Sequence, residues 1–527
     1  MSEPGSGAGI RDIDPPPLPP DLLHRYGARV LDPTIAVSTG KQAPLRPPQR
    51  PALRPTTYVG DTLLVPSGAG RAQLVEAIAA VAAQFGFSVE VDDTSLREAT
   101  QLEDGQKDLP PEERTRIAVP VRLRPAREVP QTTAPDAWPV LVALRASASD
   151  DDERSAFATV GLEHLLVAST GVSIGGAPAT QGHPATQGHP ATQGHGMDEY
   201  GRAGSGGRMP VQFVGKAPHR DPGLAERPVV AILDTGVGQH PWLQRDTGGL
   251  VVRTGLTSTE GVAADRVDPR VDPERDGDVW GQLDGKLDDA SGHGTFIAGL
   301  VHQVCPDADI VTARVMYSDG VVPESELITA LGVLHSMIKA GTLIVDVVVL
   351  SLGYYHEQPE DPLFDPILRT ALRPLSRAGV VIVASAGNDA TTRPLFPAAF
   401  GSQADEVPLV SVAGRNPDGT VALYSNGGDW VLTWADGASL VSTFPVTFDG
   451  GATPSVVTGD PSGQPRATID PDGYQSGFGL WSGTSFAAPV LAGHLAQKMI
   501  DGSIPLDVRT VEARRQPVLD ALAEFRP

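Results

Sequence analysis

The sequence has a single cysteine, Cys305, in 527 residues, which excludes an intramolecular disulfide framework and any zinc site built on several thiolates. Its setting, HQVCPDADI, reads as a small apolar residue near a helix end. Positive charge is also scarce: 41 Lys and Arg against 64 Asp and Glu leave a net charge of −23. Nucleic acids and anionic membranes are gripped by clustered Lys and Arg that displace counterions, so neither partner is expected. No stretch reaches the roughly 18 apolar residues of a membrane-spanning helix; the most apolar, Leu343 to Leu352, is short and interrupted by Asp346. The first residues, MSEPGSGAGIRDIDPPPLPPDLL, have neither the basic start nor the apolar core of a signal peptide, so a cytoplasmic location is expected.

What is present suffices for packed domains. The 40% hydrophobic content together with 58 Gly puts the apolar share at about 51%, the ordinary globular range. Residues 1–57 hold much of the proline, including Pro15 to Pro17, Pro19 and Pro20, and read as a disordered Pro-rich tail. Pro16 and Pro19 fit PxxP spacing, a pattern such tails match readily by chance. Residues 58–170 form a candidate small α+β domain. DTLLVP, FSVEV, RIAVPVRLRP and WPVLVALRA read as strands, Leu74, Ile78, Val81 and Phe85 fall at helical spacing, and DDERSAFATVGLEHLLVAS reads as a helix with a possible final strand.

Residues 171–226 contain three copies of PATQGH, ending at His183, His189 and His195, followed by GRAGSGG, and read as a flexible linker rather than a metal site. From Arg227 to about residue 500, continuous Val/Ile/Leu runs alternate with helical stretches: PVVAILD, HGTFIAGLVHQV, DIVTARVM, SELITALGVLHSMIKA, LIVDVVVLSLG, VVIVASAGN and VPLVSVAGR. That pattern requires a parallel sheet covered on both faces, a doubly wound α/β domain with its chemistry at the carboxyl ends of the strands. Residues 501–527 read as a short polar helix and tail.

Three segments of this domain carry acyl-transfer chemistry. They are Val230-Ala-Ile-Leu-Asp-Thr-Gly-Val237, Ser291-Gly-His-Gly-Thr-Phe-Ile-Ala-Gly299 and Ser482-Gly-Thr-Ser-Phe-Ala-Ala-Pro489. Singly, Asp234 could close an Asx turn, His293 could begin an ordinary helix and Ser485 could be an N-cap. Together, in the order Asp, His, Ser and each at a strand end or helix start, they supply a nucleophile, its base and the group that orients the base.

In these motifs the chain resembles the subtilisin-like serine peptidases, the subtilases, over roughly residues 227–500. The resemblance implies a serine endopeptidase in which Ser485 attacks the carbonyl, His293 carries the proton and Asp234 holds the imidazole. VIVASAGN resembles the family's oxyanion loop, with Asn388 as the amide donor. Ser351, Leu352 and Gly353 resemble its substrate-binding strand, and Ala384 to Gly387 the opposite wall of the first specificity pocket. A histidine base implies activity rising between about pH 6 and 8. The resemblance implies no cofactor; calcium, which subtilases often bind, would draw on Asp276, Asp278, Asp284, Asp288 and Asp289.

Protein or peptide chains would be the substrate, either many proteins or one precursor peptide inside the cell. The alternatives are a peptide-binding scaffold without turnover and an acyl-transferring ligase or esterase in the same site. Residues 58–170 match family prodomains in size and element order. The long linker after them leaves two roles open, an intramolecular inhibitor or a docking module.

Overall fold

The computed structural model describes residues 10–34, 53–68, 70–126, 134–168, 207–246, 249–281, 283–358 and 366–526. The three PATQGH copies lie outside the described residues.

The N-terminal part contributes α1 (Pro20–Arg25), β1 (Ala28–Val30), β2 (Thr57–Pro66), α2 (Arg71–Gln84), β3 (Phe87–Val91), α3 (Asp93–Gly105), β4 (Ala118–Pro125), α4 (Ala137–Ala146), α5 (Asp151–Ala158) and β5 (Gly161–Ala168). WPVLVALRA, expected as a strand, is helix α4. Asp136 caps it by accepting from Trp138 N–H at 3.1 Å, and Ala137, Val140, Leu141 and Leu144 share its buried face. Cap and spacing outweigh the β propensity of Val and Trp. Helix α3 had no clear periodic signal; Asp92 starts it by accepting from Ser95 N–H at 2.8 Å.

The proline-rich segment also departs from expectation, because residues 10–34 are built onto the body. Leu18 and Leu22 pack with Leu165, Val167 and Val321, and β1 pairs antiparallel with β2. Two leucines suffice here because the surface that receives them is already formed.

The C-terminal part contributes β6 (Val229–Asp234), β7 (Val252–Arg253), α6 (His293–Val304), β8 (Asp309–Arg314), β9 (Val321–Pro323), α7 (Glu324–Lys339), β10 (Val347–Leu350), β11 (Leu352–Gly353), α8 (Ile367–Arg377), β12 (Val381–Ser385), β13 (Leu409–Arg415), β14 (Thr433–Asp436), β15 (Leu440–Thr443), β16 (Phe478–Trp481), α9 (Thr484–Ile500) and α10 (Val511–Ala523). Seven strands form a parallel sheet in the order β7-β8-β6-β10-β12-β13-β14. Both faces are covered, as the continuous apolar runs require. Val230 and Ile232 pack with Phe296, Phe486 and Leu491 from α6 and α9. Ala231 and Leu233 face the side of α7 and α8, with Leu327, Leu331 and Leu372.

The two parts share structure. In the second sheet, β9-β5-β2-β4-β3, strand β1 also joins β2 and β11 joins β5, so two segments of the peptidase-like part complete the N-terminal sheet. Residues 207–226, assigned to the linker by sequence, are partly built in: Arg208 donates to the carbonyls of Leu287, Asp288 and Asp289, and Met209 and Pro210 pair with β16. No helix among the described residues is long and apolar enough to cross a membrane.

Candidate active site

The segments singled out by sequence converge at the carboxyl edge of the parallel sheet. Asp234 is the last residue of β6 and His293 the first of α6. Their join is tight enough to need glycine on both sides of the imidazole. Gly292 has φ +86°, and a Cβ there would meet the Phe444 ring at 2.5 Å; a Cβ at Gly294 would lie 2.1 Å from the Gly236 carbonyl oxygen. Nδ1 of His293 lies 2.8 and 3.0 Å from the two Asp234 oxygens, and both side chains are fully buried. The ring sits against Trp481 and Phe486, 5.6 and 5.3 Å between centroids. With Nδ1 donating to the carboxylate, Nε2 is left as the lone-pair nitrogen a general base needs.

Ser485 is the second residue of α9, at the positive end of the helix dipole, which favours developing negative charge. Its Oγ donates to Ser351 O at 3.1 Å, and Ser351 Oγ donates back to Ser485 O at 2.7 Å. Nε2 of His293 is buried without a hydrogen-bond partner. The Ser485 hydroxyl is thus bonded to Ser351 O rather than to His293.

Asn388 follows the turn after β12. Its Oδ1 accepts from Thr484 N–H and Oγ1–H, both at 2.9 Å, which fixes the amide beside the residue that precedes Ser485. Gly387 N–H donates to Thr484 Oγ1 at 3.0 Å, and Ala384 is buried in β12. Leu352 and Gly353 pair antiparallel with Ala168 and Val167 of β5. On the other side of β5, Val321 to Pro323 pair with Val167 to Leu165, and Ala168 N–H donates to Gly320 O at 2.7 Å. A polypeptide strand thus lies on the edge at Leu352 and Gly353 expected to hold substrate, with Val321 to Pro323 on its other side. The long linker is no obstacle, because it begins only after this strand.

Sequence reasoning missed two buried groups. Glu274 accepts from Thr235, Gly292 and Thr295, which flank Asp234 and His293; an acid within a charged loop gave no sign of this. His164 of β5 is held between Glu324 Oε2 at 2.8 Å and Glu357 Oε2 at 3.0 Å, with His356 close by. Ligand atoms of His164, His356 and Glu357 lie within 4.8 Å of one another. Nδ1 of His356, however, accepts from Gln358 N–H at 2.9 Å, so Nε2 keeps its proton and cannot ligate a metal. Burial alone would lower the His164 pKa, but Glu324 and Glu357 push it up to about 10, making it an imidazolium between two carboxylates.

The acidic residues considered for calcium hold their own loop. Asp288 accepts from Val279 N–H, Trp280 N–H and the Ser318 hydroxyl, and Asp278 accepts from Gly285 N–H at 2.6 Å.

Residues 225–511, which carry Asp234, Glu274, His293, Asn388 and Ser485, match the sequence profile of the subtilase family. The chain belongs to the subtilase family. Among curated subtilases it resembles the membrane-bound transcription factor site-1 protease of Rattus norvegicus, 28% identical over 234 residues, which are 43% of this chain and 18% of that protein. It also resembles a subtilisin of Bacillus sp. strain TA39, 26% identical over 285 residues, 51% of this chain and 55% of that one. The match thus spans less than a fifth of the site-1 protease and about half of the Bacillus subtilase. Among solved structures, fervidolysin from Fervidobacterium pennivorans, a keratinolytic enzyme related to subtilisin, matches 86% of this chain and 56% of its own at 16% identity and a TM-score of 0.43.

Proposed function

We propose that this subtilase is a serine endopeptidase that hydrolyses protein or peptide chains through an acyl-enzyme on Ser485. The observation that carries the reading is the buried Asp234–His293 pair at 2.8 Å beside the helix start that bears Ser485. In the reaction Ser485 Oγ attacks the scissile carbonyl carbon as its proton passes to His293 Nε2, and Asp234 stabilises the imidazolium. Asn388 Nδ2 and the Ser485 N–H stabilise the oxyanion. His293 then protonates the leaving amine, and water repeats the sequence on the acyl-enzyme.

The N-terminal domain acts here as an intramolecular inhibitor. Its strand β5 pairs with Leu352 and Gly353, the edge that would hold an extended substrate, as a strand-adding peptide does, and is flanked on its other side by Val321 to Pro323. Ser485 bonded to Ser351 O, off His293, fits the same resting state.

The test is labelling with a serine-directed fluorophosphonate, read by intact mass, beside Ser485→Ala. One adduct on the wild type and none on the variant is the expected result. No adduct on either protein, even after the N-terminal domain has been removed, would defeat the reading and favour a peptide-binding scaffold.

A further inference from the structure

Glu274 is fully buried and takes part in no step described above. Its Oε1 accepts from the Thr235 hydroxyl at 2.5 Å and from Gly292 N–H at 3.1 Å, and its Oε2 accepts from the Thr295 hydroxyl. Thr235 follows Asp234 directly, Gly292 precedes His293, and Thr295 lies two residues beyond it. Both hydroxyls are themselves held: Thr235 Oγ1 accepts from Gly294 N–H at 2.9 Å, and Thr295 Oγ1 from Gly238 N–H at 2.8 Å. Each threonine therefore bridges from its own segment to the other, and one carboxyl group receives both hydroxyl protons.

We propose that Glu274 is a positioning residue, locking the strand end that carries Asp234 to the helix start that carries His293. The inference rests on the peptidase reading of those two residues and assigns no contact with substrate. A carboxylate suits the place because three donors converge on it and it brings none of its own. Glutamine would put an NH2 where one oxygen accepts, leaving one donor without a partner in a dry site.

Four charged or titratable groups lie around it. Asp234 comes from β6, Asp272 from its own loop, His293 from α6, and Arg314 from β8, paired with Asp272 at 3.0 Å. Burial raises the Glu274 pKa to about 7, Asp234 and Asp272 adding to the effect and the threonine hydroxyls opposing it. When ionised, Glu274 adds negative charge beside the Asp234–His293 pair; a neutral amide removes that charge.

The experiment compares the full chain with Glu274→Gln. The far-downfield proton resonance of the His293 Nδ1–H donated to Asp234 is followed from about pH 5 to 9, with circular dichroism to verify the fold. The expected result is a shifted or broadened resonance. On a peptide substrate, kcat should fall by roughly 10- to 100-fold with KM unchanged. Thr295→Val, which removes one of the three donors, is read the same way should Glu274→Gln not fold. A folded variant with an unchanged resonance and kcat would overturn the proposal. Failure of the wild type to label or hydrolyse even after removal of the N-terminal domain would defeat the peptidase reading instead, while the resonance still reports on Glu274.

Discussion

Ala168 stands opposite Leu352 in an antiparallel pair, which places the end of the N-terminal domain one residue from Ser351, whose carbonyl receives the Ser485 hydroxyl. Strand β5 and Ser485 are thus connected through the backbone of one short segment.

Loosening the end of β5 should open the site. Ala168→Pro removes the N–H that donates to Gly320 O at 2.7 Å, a loss of about 1 kcal/mol that corresponds to roughly fivefold faster fluorophosphonate labelling of the full chain. An unchanged labelling rate would show that β5 does not limit access.

Asn388→Ala should lower kcat and leave KM nearly unaltered, because the donor acts on the oxyanion rather than on the bound substrate. The expected loss of about 10²–10³ is the established value for one such donor in a subtilisin, not one derived from this geometry. Steady-state kinetics on a peptide substrate would measure it.

Docking of the N-terminal domain should weaken at alkaline pH. His164, free to exchange with water in an undocked domain, would titrate near 6.5, against about 10 between Glu324 and Glu357. A raised pKa gives stability that is complete below the lower value and is lost as pH climbs to the higher one. Glu163, pushed up to about 8 by burial, acts in the same direction. Thermal unfolding of the full chain should therefore fall in midpoint from about pH 6.5 to 10. His164→Gln should flatten that slope, and equal slopes would contradict the assignment.

Gly294→Ala should abolish turnover by separating α6 from the end of β6, since its Cβ would lie 2.1 Å from Gly236 O. Overpacking of this kind costs about 1–3 kcal/mol, so a fall in melting temperature should accompany the lost activity.

Leu22→Ala tests the proline-rich arm. Leu22 packs on Leu165, Val167 and Val321, and its truncation should cost about 2 kcal/mol, at the low end for a buried leucine in a small cluster. Faster labelling of Ser485 together with a lower melting temperature is the expected result.

The sequence by itself determined the doubly wound sheet and the segments that meet at its edge. The runs VVAIL before Asp234 and VIVA in VIVASAGN are apolar at every position, which only a sheet covered on both faces can bury, and the ends of such runs and the starts of the helical stretches are where Asp234, His293 and Ser485 fall. It misread WPVLVALRA, where the local apolar run favoured a strand until Asp136 capped a helix. Only the tertiary structure decided that Leu18 and Leu22 find a surface, that β5 lies between β9 and β11, and that Glu274 receives donors from both sides of His293. Each of these depends on partners tens to hundreds of residues away, and no local pattern of hydrophobicity or charge encodes a contact whose two halves meet only after the chain has folded.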